Sequence, residues 1–123
     1  MGSSLLLVDD DRNVLDVQRR ILERESYTVD VTHDGSKAAE MAEEKNYDLV
    51  ITDLMMPDFD GIELILRLRR SQKSTKVIAT SGGSRFGTMS CLDAAKLCGA
   101  ASTLMKPFSR EELLDTVNHA LQA

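Results

Sequence analysis

The feature that most constrains this chain is an alternation: short apolar runs recur between longer stretches whose apolar residues repeat at helical spacing. Leu5–Val8, Leu49–Thr52 and Val77–Thr80 have the length of strands, and their near-continuous apolar character suits strands covered on both faces. Between them, Asn13–Arg24 carries Val14, Val17, Ile21 and Leu22 on one predicted face. Ser36–Lys45 carries Ala38, Ala39, Met41 and Ala42, and the stretch opened by Asp60-Gly61 carries Ile62, Leu64, Ile65 and Leu68. Such alternation predicts βαβ units around a parallel sheet. Tyr27–Val31 and Ala101–Met105 bring the strands to five. A helix over Ser90–Leu97, stopped by Gly99, and a last one with Leu113, Leu114, Val117 and Leu121 facing inward bring the helices to five. Ser109 followed by Glu112 predicts a capping box for the last helix, and Asp11 and Asp60 are expected to cap the first and third.

At 123 residues, without repeats or low-complexity tracts, the chain is expected to form one domain over residues 4–123, with residues 1–3 an expression remnant outside the fold. The apolar runs fall far short of the ~20 residues a spanning helix needs, so no membrane partner is expected. Met1-Gly2-Ser3-Ser4 has no secretion-signal pattern, and Leu6 stands where a myristoylation motif wants Ser or Thr. A cytoplasmic location follows as the expectation. The net charge of −5 argues against direct nucleic-acid binding, and Arg67, Arg69 and Arg70 read as a solvated helix end. Cys91 and Cys98, seven apart in a predicted helix, share a face and are expected as buried thiols. His33 and His119 fit no nucleophilic or metal-binding spacing and read as structural or surface residues.

In an open α/β sheet, ligands bind beyond the carboxyl ends of the strands, where strand order reverses. Asp9, Asp10 and Asp11 follow the first predicted strand, Asp53 the third, Thr80 and Ser81 close the fourth, and Lys106 follows the fifth. A strand order of 2-1-3-4-5 would make the first and third strands neighbours and bring their carboxylates together. Two such charges about 4 Å apart repel by roughly 4 kcal/mol at an effective dielectric of about 20, so convergence calls for a cation. Carboxylates without His or Cys suit a hard ion such as Mg²⁺.

Taken in order, Leu7-Val8-Asp9-Asp10, Ile51-Thr52-Asp53-Leu54-Met55-Met56-Pro57-Asp58-Phe59-Asp60-Gly61, Thr80-Ser81-Gly82 and Lys106-Pro107-Phe108 resemble the motifs of response-regulator receiver domains. The resemblance covers essentially the whole chain. It implies a flavodoxin-like, doubly wound five-stranded parallel sheet of order 2-1-3-4-5. It also implies a phosphorylation-dependent switch in which Asp53 accepts a phosphoryl group from a sensor histidine kinase or a histidine phosphotransfer protein. Mg²⁺ would be held by Asp10, Asp53 and the Met55 backbone carbonyl, with Asp9 acting mainly through water. Lys106 would pair with a phosphoryl oxygen and Ser81 would hydrogen-bond another, repacking the face that meets an output protein or domain. The residues two beyond acceptor and hydroxyl, which govern access of water, are Met55 and Gly83. The position that in many receivers holds a mobile aromatic is Thr103, and Phe86 in the preceding loop is the expected substitute. Such a switch catalyses its own phosphotransfer and dephosphorylation and is not a turnover enzyme. It can stand alone or form part of a longer regulator or hybrid kinase.

Two rival readings are weaker. A Mg²⁺-dependent phosphohydrolase resembling the haloacid-dehalogenase group also uses an Asp nucleophile, but needs a second Asp two residues on as general acid, where this chain has Met55. A nucleotide- or flavin-binding module needs a glycine-rich loop after the first strand, where this chain has three aspartates.

Overall fold

A computed structural model describes residues 2–57, 59–71, 74–82, 85, 86 and 89–122, giving only the backbone course at 85, 86 and 89–91. The elements alternate as the periodicity predicts: β1 (Ser4–Val8), α1 (Arg12–Arg24), β2 (Thr28–Thr32), α2 (Gly35–Glu44), β3 (Leu49–Asp53), α3 (Gly61–Ser71), β4 (Lys76–Ser81), α4 (Cys91–Leu97), β5 (Ser102–Met105) and α5 (Arg110–Gln122). The five strands form one parallel sheet in the order β2-β1-β3-β4-β5. Two short antiparallel pairs, Met55–Met56 with Phe59–Asp60 and Arg85–Phe86 with Met89–Ser90, decorate the loops after β3 and β4.

Each buried strand alternates its side chains between two cores, which is why the runs read as continuously apolar. Leu6, Val8, Val50, Val77 and Ala79 face a core completed by Ala38 and Ala42 of α2, Leu64, Ile65 and Leu68 of α3, and Leu92 and Ala95 of α4. Leu5, Leu7, Leu49, Ile51 and Ile78 face the opposite core, closed by Leu15 and Leu22 of α1 and by Leu113, Val117 and Ala120 of α5. Leu5, Leu6 and Leu7 are fully buried, so truncating any of them to Ala would cost about 2–5 kcal/mol.

The helix ends follow their capping residues. Asp11 Oδ1 accepts from the N–H groups of Asn13 and Val14 at 2.9 and 3.3 Å, and Asp60 Oδ1 accepts from Ile62 N at 2.9 Å. The capping box closes in both directions, Ser109 N to Glu112 Oε1 at 2.9 Å and Glu112 N to Ser109 Oγ at 3.0 Å. Gly99 takes φ +117° just past α4, a conformation that favours glycine.

One predicted face is displaced. The inward residues of α1 are Leu15, Gln18 and Leu22, whereas Val17 is 57% exposed and Val14 and Ile21 are half-buried. Two adjacent stripes, 14-17-21 and 15-18-22, share the same spacing, and a polar Gln18 in the second made the first look like the core face. Cys98 is half-buried against the first core, less enclosed than expected, and the Cys91 side chain lies outside the described residues.

Candidate functional site

The reversal of strand order falls between β2-β1 and β1-β3, and the residues beyond those strands form the site. Register places the rim: Val8 pairs with Thr52, Asp53 with Thr80 and Ser81 with Met105. The first residue beyond each strand is still tied to its neighbour. Asp9 N donates to Thr32 O at 3.3 Å, Leu54 N to Thr80 O at 2.9 Å and Lys106 N to Ser81 O at 2.7 Å. Asp9, Asp53 and Lys106 are therefore set by the sheet itself.

Asp9, Asp10 and Asp53 each offer a carboxylate oxygen, and the three lie within 4.8 Å of one another. Asp9 and Asp53 are buried and Asp10 is exposed, so the cluster opens to solvent on one side. Lys106 Nζ lies 2.5 Å from Asp9 Oδ2 and 3.2 Å from Asp53 Oδ2. Asp9 Oδ1 also accepts from Asp11 N at 2.9 Å, and Asp53 Oδ1 from Met55 N at 3.2 Å.

Burial pushes the Asp9 carboxyl above its usual range, outweighing the hydrogen bonds from Lys106 and the Asp11 N–H and the charge of Lys106, while the Asp53 charge adds to the rise. Burial works against the charged Lys106 as well. There the hydrogen bond and charge of Asp9, with those of Asp53, prevail and hold its pKa above the ordinary lysine value. The lysine is thus a fixed cation, and one ammonium does not offset three carboxylates. The excess negative charge, the all-oxygen donor set and the open side toward Asp10 fit a hard divalent cation.

Ser81 closes β4 with its Oγ buried and without a hydrogen-bond partner among the described residues. A buried hydroxyl in that state costs about 1–3 kcal/mol, which is tolerated where the group acts in another state of the protein. Thr103 is half-buried on β5 opposite Ala79. Met55 is 40% exposed on the loop beside Asp53. Phe86 belongs by its backbone to the short pair after β4, with its side chain outside the described residues, as is Gly83.

The fold that carries this geometry has known counterparts. The family described as the response regulator receiver domain matches residues 5–118. The chain belongs to that family. This receiver domain is 32% identical over 120 residues to the response regulator ArlR of Staphylococcus saprophyticus, covering 98% of this chain and 53% of that protein. It is equally 32% identical over 120 residues to the transcriptional regulatory protein ResD of Bacillus subtilis, covering 98% of this chain and 48% of that one. The chain therefore spans about half the length of the curated relatives it matches. Among solved structures it is similar to a CheY-like response regulator receiver domain protein from Methanospirillum hungatei, with a TM-score of 0.89, 27% identity and coverage of 99% and 95% of the two chains. Among the described residues of the receiver, no helix is long and apolar enough to cross a membrane.

Sequence reasoning missed one part of the rim. The exposed Val17, with Val14 and the buried Gln18, lines a groove of about 340 Å³ with Pro107 and Phe108, beside Lys106. The signal was the 14-17-21 stripe of α1, an apolar row beside the one that faces the core.

Proposed function

We propose that this receiver domain is a phosphorylation-dependent switch that takes a phosphoryl group onto Asp53 from a phosphohistidine of a sensor kinase or phosphotransfer protein. The observation that carries the reading is the convergence of Asp9, Asp10 and Asp53 within 4.8 Å around a rim that also holds Lys106 and a buried Ser81 hydroxyl without a hydrogen-bond partner among the described residues. An Asp53 oxygen attacks phosphorus, the O–P bond forms as the N–P bond to the donor imidazole breaks, and the imidazole leaves. Asp10, Asp53 and the Met55 carbonyl would hold Mg²⁺, with Asp9 acting mainly through water. That ion supplies charge neutralisation for the phosphoryl oxygens. Lys106 sits where it can shift from Asp53 to a phosphoryl oxygen, and the Ser81 hydroxyl donates to another. Drawing Ser81 inward moves the loop after β4, and with Thr103 unable to act as a mobile aromatic, Phe86 takes that part. The changed face is the one presented to an output protein or domain.

Lys106, whose ammonium lies 3.2 Å from Asp53 Oδ2, also lines the groove, which offers a seat for a helix of the phosphodonor. Incubation with a small phosphodonor and Mg²⁺ should add one phosphoryl group to the intact mass, removable by hydroxylamine. Persistence of that label in Asp53→Asn would overturn the assignment. A phosphohydrolase is disfavoured because Met55 offers no proton to a leaving group, and the test is turnover of an aryl phosphate beyond one equivalent.

A further inference from the structure

Gly35 opens α2 immediately after its cap, Asp34, and is buried. The ring of Phe59 lies on its α-carbon: a Cβ added at Gly35 would stand 2.1 Å from Phe59 Cγ and 2.2 Å from Cδ2. Carbon atoms in contact sit about 3.5–4.0 Å apart, so any side chain at this position expels the ring. Phe59 also packs against the core that includes Ala38, Ala39 and Ala42 of α2.

What the ring holds in place leads to the acceptor. Phe59 pairs with Met56 and Asp60 with Met55 in the short antiparallel ladder, and Met55 N donates to Asp53 Oδ1 at 3.2 Å. The other end of the segment is clamped as tightly, since a Cβ at Gly61 would lie 2.9 Å from both Asp53 O and Leu54 Cα. The loop carrying Met55 is thus pinned at one end on the acceptor strand and at the other, through Phe59, on the start of α2.

We propose that Gly35 is a positioning residue for the chemistry at Asp53, its bare α-carbon being the seat on which Phe59 fixes the loop that bears Met55. The inference rests on the reading of Asp53 as acceptor and the Met55 carbonyl as an ion ligand. Mere packing would make a different forecast, because Gly35→Ala replaces glycine by a better helix former and alters stability without touching the ion site.

The test is a double-mutant cycle on the intact chain, with Mg²⁺ titrations followed by amide NMR for the wild type, Gly35→Ala, Phe59→Ala and the double variant. Gly35→Ala should weaken Mg²⁺ binding about threefold or more and shift the Leu54 and Met55 amides even without the ion. In the Phe59→Ala background the same substitution should change affinity by less than about 1.5-fold, because no ring remains to expel. Equal effects in both backgrounds, or unmoved Met55 resonances in ion-free Gly35→Ala, would overturn the proposal. If Gly35→Ala alone does not fold, the double variant decides: affinity equal to that of Phe59→Ala supports the seat, and a further loss refutes it. Failure of the wild type to bind Mg²⁺ would instead count against the functional reading, while the ion-free Met55 shift still reports the coupling itself.

Discussion

The Lys106 ammonium is closer to Asp9, at 2.5 Å, than to the proposed acceptor Asp53, at 3.2 Å. The lysine therefore rests on the buried neighbour and reaches the acceptor from there. Replacing Lys106 by Met leaves Asp9 and Asp53 buried without their cation. Breaking a buried pair from one side costs about 3–5 kcal/mol, and because Lys106 is partly exposed the expected loss is nearer 2 kcal/mol. Added Mg²⁺ should narrow the gap between variant and wild type in urea unfolding. A gap of the same size with and without the ion would show that lysine and cation do not share the same carboxylates.

Ser81→Ala separates stability from signalling. Removing a buried hydroxyl that lacks a partner among the described residues should raise stability by about 1 kcal/mol. The same change removes the donor that would grip a phosphoryl oxygen. With beryllofluoride standing in for the phosphoryl group on Asp53, resonances beyond β4 should then move less than in the wild type. A destabilised Ser81→Ala that responds in full would contradict both expectations.

A pH effect is expected away from the site. Tyr47 Oη donates to Asp30 Oδ2 at 2.6 Å and Lys45 Nζ lies 3.0 Å from the same oxygen. The hydrogen bond from Tyr47, then that from Lys45 and its charge, hold the Asp30 carboxyl below its usual value of 3.8. A depressed carboxyl contributes stability that is complete above pH 3.8 and is lost as pH falls through the lower folded value. Tyr47→Phe should raise the Asp30 pKa, read from its side-chain carbon shifts. It should also cost about 1 kcal/mol at neutral pH, with the difference shrinking at the acid end. A difference that grows toward low pH would reverse the sign and refute the linkage.

Much of this was legible in the sequence because strand ends and site coincide in a sheet of this kind. Asp9, Asp53, Ser81 and Lys106 follow from finding the strands, and strand-finding needs only apolar runs of the right length. Asp11, Asp60 and the Ser109–Glu112 box were legible because capping is local. The inward face of α1 was not, because Gln18 is buried against expectation and Val17 is exposed, a choice between stripes made by packing that spacing cannot report. The seat of Phe59 on Gly35 joins positions 24 residues apart in the sequence and leaves no local pattern.

The exposed stripe of α1 gives a test that separates docking from chemistry. Val17 projects 57% exposed beside the Pro107–Phe108 groove, so Val17→Glu should leave the fold and labelling by a small phosphodonor intact. Transfer from a phosphorylated histidine protein should slow at least tenfold, matching the burial of one charge in an apolar contact worth about 1.4 kcal/mol or more. Equal losses with both donors would place Val17 in the fold and not at a docking face.

The last prediction concerns how long the phosphoryl group stays. An acyl phosphate on the proposed acceptor Asp53 would be lost when water attacks phosphorus in line, and the side chains bordering Asp53 would decide whether a water can be held there. Met55 borders it, two residues beyond the acceptor and 40% exposed, with its N–H already committed to Asp53 Oδ1 at 3.2 Å. Its thioether is only a weak hydrogen-bond acceptor, poorly suited to holding a water. Met55→Asn keeps the backbone N–H and adds an amide able to bind a water, so hydrolysis should accelerate several-fold while the rate of labelling stays close to that of the wild type. Decay of the labelled protein, followed by intact mass after removing the donor, checks this. Gly83→Glu tests the second position that the family resemblance ties to access of water, and a combined variant that decays no faster than the wild type would show that neither position governs hydrolysis.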